Sequence, residues 1–336
     1  MNGRERTLRD RRPATVGAPS RLAVFAAVLA LGAWPAASAG QAGSGRRSPT
    51  LPPVPPLPTV PDVALPPVPT VVVPRPAPPV DSLLRASGVA WERRRGRRIV
   101  LYTAAGASSP RTLAPSALLD SLDAAWVHAV ALAGAPPADT APIVVVVTPS
   151  WERFPRLLAA SARGVAYEGG GGAGPLILLV HHDSARAYVR HEVMHVVAPA
   201  VWGAPATQWV AEGVATWADG RCQGTSVLAV ARELLQAEPE LTVGGLPARF
   251  RRGIGGRVGP RHAAYVLAAS FVAFVDAVAG RDALRAVWRT GNTDAGGPAV
   301  SADDSAVTAA WRRFVERAAA DEPGLGAGAL AAHGCG

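Results

Sequence analysis

Two histidines four residues apart, His191 and His195 in the string HEVMH, are the residues whose types and spacing point most directly to chemistry. On an α-helix this separation is about one turn, so both imidazoles leave the same face and can grip one ion. Glu192 lies beside them and is free to act as a base. Downstream, the string WVAEGVATW supplies Glu212 after a connection of sixteen residues. Alone, Glu212 reads as a solvated helix charge; following HExxH, it reads as the third ligand. Two neutral imidazoles and one carboxylate leave a fourth tetrahedral position for water, whose pKa zinc lowers toward neutrality.

Helices must present these groups. Val189, Val193, Val196 and Val197 recur at i, i+4, i+7 and i+8 as a core-facing stripe, with Asp183 or Ser184 as the cap. At about 100° per residue both histidines fall opposite that stripe, toward a cleft. A second helix, capped by Thr207, runs through Trp209, Val210, Val214 and Trp217 and ends near Gly220. It carries Glu212 in its first turns. Gly213 costs a helix interior roughly 1 kcal/mol relative to alanine, which predicts that another backbone or the metal site comes close there. Asp219, two turns beyond Glu212, reads equally as a carboxylate that orients a ligand imidazole and as a solvated group at the helix end.

With both motifs in view, the chain resembles the gluzincin metallopeptidases, in the pattern of the peptidase MA-like domains. The string WVAEGVATW is similar to its counterpart in the gluzincin aminopeptidases, and residues 191–217 carry the likeness. The resemblance implies one Zn2+ per chain, held by His191, His195 and Glu212, with Glu192 as general base in the hydrolysis of a peptide or protein substrate. It also implies an oxyanion donor, for which Tyr265 is the preferred candidate and His262 the weaker one. Packing on an amphipathic helix is the competing reading of Tyr265.

The implied fold is α+β and zincin-like: a small mixed sheet with the active-site helix, followed by a mostly helical C-terminal subdomain. In that fold an edge strand lies along the cleft and pairs with extended substrate. This mapping sets residues 176–179 on the cleft and the glycines at 169–172 and 174 on its rim. The chain departs from the aminopeptidases in two ways. The connection between His195 and Glu212 is short, and the GxMEN-type segment that holds a free amino terminus is missing. The corresponding region reads VAYEGGGGAGPLILLV, where Glu168 is the acid that could meet an amine.

The remaining pattern fits this order. Residues 99–103, 143–148 and 176–180 read as strands, 116–132 as an amphipathic helix closed by Gly134, and 151–160 as helix. Beyond Gly220, residues 226–237, 262–279, 282–290 and 302–320 show helical spacing.

Composition bounds the rest. The net charge is +9 and every basic residue is arginine; outside residues 1–39 the balance is 28 basic to 23 acidic. A nucleic-acid binder concentrates basic charge on one face or beside stacking aromatics. WERRRGRR and RFRRGIGGR are the only such runs, and they read as solvated loop or strand-edge charge, or as contacts to an anionic envelope. No nucleic-acid partner is expected.

Residues 1–39 read as a signal peptide: arginines, an apolar run from Leu22 to Trp34, and cleavage after Ala39. The chain is therefore expected to be exported, to the cell envelope, periplasm or medium, with a retained N-terminal anchor as the lesser alternative. Residues 40–80 read as a proline-rich, polyproline II linker, and 81–336 as the peptidase domain, divided into 81–220 and 221–336. Cys222 and Cys335 are the only cysteines, which in an exported chain predicts a disulfide. His128, His181, His182 and His333 read as surface histidines. The rival to an enzyme is a catalytically weak zinc-containing module that holds an envelope peptide.

Overall fold

The computed structural model describes residues 79–105, 114–138, 141–148, 154, 164–167, 174–180, 185–222, 224–254, 258–292 and 304–322. Expectations for the leader, most of the linker, Glu168, the glycines at 169–172, His181, His182, the cap at 183–184, His333 and Cys335 lie outside the described residues, as does 151–160 apart from Phe154.

The chain begins with α1 (Val80–Ala86), β1 (Trp91–Arg95), β2 (Ile99–Ala104), α2 (Pro115–Ala133), β3 (Ile143–Thr148), β4 (Gly164–Tyr167) and β5 (Leu176–Val180). Two helices follow, α3 (Ala185–Trp202) and α4 (Gln208–Asp219), then a short hairpin of β6 (Arg221–Cys222) and β7 (Thr225–Ser226). The rest is helical: α5 (Val227–Ala237), α6 (Leu246–Ile254), α7 (Val258–Thr290) and α8 (Asp304–Ala318).

The first five strands form one mixed sheet in the order β1-β2-β3-β5-β4. β2, β3 and β5 run parallel, while β1 and β4 are antiparallel edge strands. The inner strands are continuous apolar runs because both faces of the sheet are covered. Register sorts them cleanly. Val145 pairs with Ile177 and Val147 with Leu179, and these four face the large core shared with α2, α3 and the later helices. Val146, Leu176 and Leu178 point the other way, into a smaller cluster with Leu83 and Leu84 of α1, Phe154 and Tyr167.

The large core is continuous across Gly220: Val214 of α4, Val230 of α5, Leu267 of α7 and Trp311 of α8 belong to it together with the sheet. α7 is broken at Gly280, whose φ of 81° and ψ of 176° are not helical. This is the division that the spacing of 262–279 and 282–290 predicts.

The two arginine runs and the sheet edge sharpen the sequence reading. Of the alternatives for the WERRR run, strand-edge charge is the one realised: it is edge strand β1, with Glu92 and its three arginines exposed, and charge on an edge discourages further pairing. The RFRR run lies in helix α6, where Leu246, Phe250, Gly253 and Ile254 are buried and Arg251 and Arg252 are exposed. β4 is absent from the reading, and its presence moves β5 to the interior. Leu176, Ile177, Leu178 and Leu179 are therefore core residues rather than a cleft wall, and β4 is the edge strand that packs against α3.

Candidate metal centre

His191, Glu192 and His195 all lie on α3, which the stripe of Val189, Val193, Val196 and Val197 buries against the core. The opposite face is packed as well. His191 and Glu192 are buried, so the histidines do not simply look outward as the one-sided stripe suggests. The second wall is α4, whose start is tied down by Trp209 donating its indole N–H to the Gly291 carbonyl at 3.0 Å. Gly220 closes α4 in the left-handed region at φ 71°, and its N–H donates to the Thr216 carbonyl. Thr207 occupies the N-cap in extended conformation, yet among the described residues its side chain makes no capping hydrogen bond.

Gly213 answers its own anomaly. A Cβ there would stand 3.1 Å from both the carbonyl carbon and the oxygen of Ala268, and 3.1 Å from Val272 Cγ2. The absent side chain lets α4 cross α7 closely, and this crossing holds Glu212 at the depth of the histidines.

The three expected ligands converge. His191 Nε2 and His195 Nε2 are 3.1 Å apart. Glu212 Oε2 lies 3.3 Å from the first and 3.4 Å from the second. Tetrahedral zinc with bonds of about 2.0–2.1 Å separates neighbouring ligand atoms by about 3.3–3.4 Å, so this triangle has the dimensions of one face of such a site. Two imidazole nitrogens and one carboxylate oxygen also form a suitable donor set. The His-His-Glu cluster could therefore hold a metal ion.

Electrostatics reinforce the arrangement. Burial alone raises the Glu212 carboxyl, but the charge of His195 and hydrogen bonds from His191 and His195 overcome it and hold the group well below the usual carboxylate range. Glu192 is displaced upward: burial dominates, the two histidines oppose it, and Glu212 adds to it.

Tyr265 of α7 comes to the same place. Its ring stacks on His191 with centroids 6.3 Å apart, and on Phe250 at 5.7 Å. Burial, with the nearby charges of Glu212 and Glu192, raises its hydroxyl well above the ordinary value against the opposing pull of Arg261. His262 is buried on the same helix, three residues earlier.

Two residues at the centre are absent from the sequence reading. Thr216 Oγ1 stands 3.5 Å from His191 Nδ1, a long contact on the side of the ring away from the Nε2 that faces Glu212. Its signal was available, since Thr216 is one turn past Glu212 on the same helix face. Gly164 of β4 abuts the Glu192 side chain, with a built Cβ only 2.5 Å from Glu192 Oε1. Nothing in a lone glycine before a short strand announces that contact.

Asp219 instead shares its surroundings with Arg190 and Glu192. Burial raises its carboxyl to about 8, Arg190 opposes and Glu192 adds. His128 is partly buried rather than freely exposed, and its Nε2 meets the Ala218 carbonyl at 3.0 Å. Cys222 is buried and disulfide-bonded; Cys335 is the chain's other cysteine.

No protein-family model and no curated protein matches this chain.

Proposed function

We propose that the chain is an exported zinc peptidase with a gluzincin-type centre on a zincin-like fold. The observation that carries this reading is the ligand triangle of His191, His195 and Glu212, with Glu192 on the same helix as both histidines. When bound, zinc supplies Lewis acidity, which polarises a carbonyl and makes water nucleophilic near neutral pH.

The chain's own groups divide the remaining work. Burial makes Glu192 a better proton acceptor than an exposed carboxylate, suited to take a proton from water and return it to the leaving amine. Tyr265 keeps its proton throughout the neutral range and is therefore a standing hydrogen-bond donor for the oxyanion. Thr216 borders the His191 ring at Nδ1. Beside them β4 is the edge of the sheet, where an extended peptide or protein segment can add as a strand through main-chain hydrogen bonds. The leader and proline-rich linker favour action outside the cytoplasm or in the envelope, on protein rather than nucleic acid.

Glu192→Gln tests the reading. General acid–base groups contribute about a hundredfold or more, so cleavage of a generic peptide library should fall by at least that factor while zinc content stays unchanged. Hydrolysis at the wild-type rate would remove Glu192 from the mechanism.

A further inference from the structure

Glu192 rests against the backbone of β4, at a position without a side chain. A Cβ built on Gly164 would lie 2.5 Å from Glu192 Oε1, 2.8 Å from Cδ and 2.9 Å from Cγ. Those separations are well inside the optimum of about 3.5–4.0 Å for non-bonded carbon atoms. The pleat of the strand explains the direction. Val165 and Tyr167 pack into the small cluster on the far face, whereas Ala166 packs into the large core on the side of α3.

The backbone gives no reason for the glycine. Gly164 is not among the residues with positive φ, and it sits within a regular antiparallel ladder with β5, opposite Leu179. Any residue adopts strand geometry there, and glycine weakens a strand, so the missing side chain reflects what comes close.

We infer that Gly164 is a positioning residue for Glu192: its lack of a Cβ opens the niche on the edge strand in which the Glu192 carboxylate is held. This deepens the proposed function and rests on the reading of Glu192 as the base. The methyl of Gly164→Ala would strike a flexible side chain rather than backbone. The strand and the metal ligands should therefore stay in place while the Glu192 carboxylate turns away.

The test compares Gly164→Ala with wild type and with Glu192→Gln. Zinc content and the thermal midpoint should match wild type, while kcat on the peptide library falls about a hundredfold and KM holds. Adding Gly164→Ala to Glu192→Gln should cause no further loss, because both changes act through one carboxylate. A crystal structure of Gly164→Ala should show that carboxylate displaced from β4.

Wild-type kcat in the variant, or a further loss in the double variant, overturns the inference. So does a crystal structure in which Glu192 keeps its place and β4 moves, or a variant that does not fold. A wild-type protein that binds zinc but cleaves no peptide sinks the peptidase reading alone. The crystal structure of the variant then still decides whether Gly164 sets the position of Glu192.

Discussion

Glu212 is fitted to be a ligand by its neighbours: two imidazole nitrogens within 3.4 Å of one carboxylate oxygen keep it ionised despite burial. Tyr265 illustrates the opposite case, a group kept protonated by its surroundings. Tyr265→Phe removes the hydroxyl and leaves the stacking on His191 and Phe250, so zinc binding and fold should persist while kcat falls about a hundredfold. An unchanged kcat would return Tyr265 to a packing role. Asp219 offers a pH signature. Its carboxyl is raised from 3.8 to about 8, so the unfolded chain releases this proton at lower pH than the folded one. Between those values the folded state binds more protons, and Asp219 therefore lowers stability as pH rises. Asp219→Asn should flatten that decline and give a more stable protein at pH 8, measured by urea unfolding across the range; an identical pH slope in the two proteins would contradict the shift. At this scale the convergence of His191, His195 and Glu212 was legible because helix periodicity relates residues close in sequence. Gly164 was not, because its meaning lies in Glu192, on another element.

The elements place these residues through a few close approaches. Gly213 at the α4–α7 crossing is the plainest. Alanine there gains about 1 kcal/mol of helix propensity, but its methyl meets the backbone of Ala268 and the side chain of Val272 at 3.1 Å. Overpacking of this kind costs about 1–3 kcal/mol, and the obstructing atoms belong mainly to a helix backbone that cannot rotate aside. Net of the propensity gain, Gly213→Ala should therefore lower the unfolding free energy by up to about 2 kcal/mol and weaken zinc binding at the adjacent Glu212. A stabilised variant would show that the crossing has room. The sequence disclosed the inner strands, α2, α4, α5, the two halves of α7 and α8, since long apolar runs and helical spacing carry strong local signals. β4 escaped because four residues with no alternation of polarity resemble loop. α6 escaped because clustered arginines mask the buried spacing of Leu246, Phe250 and Ile254. Missing β4 also misplaced the sheet edge, since strand order is a long-range property.

Among the described residues the larger hydrophobic core runs from the sheet to α8, while the centre lies where α3, α4, α7 and β4 meet. The candidate ligands come from two of these elements, so a bound ion would tie α3 to α4 and add its binding free energy to that of the fold. The charge of +9 is carried by arginine alone, with a run of three exposed on the edge strand opposite β4. If the proposed function holds, this fold assembles a three-ligand zinc site. Elemental analysis of the purified, dialysed protein beside His191→Ala and Glu212→Ala tests it most directly. One zinc per chain is expected in the wild type, and its loss from both variants. A folded wild-type protein without zinc, or variants that retain it in full, would contradict the site.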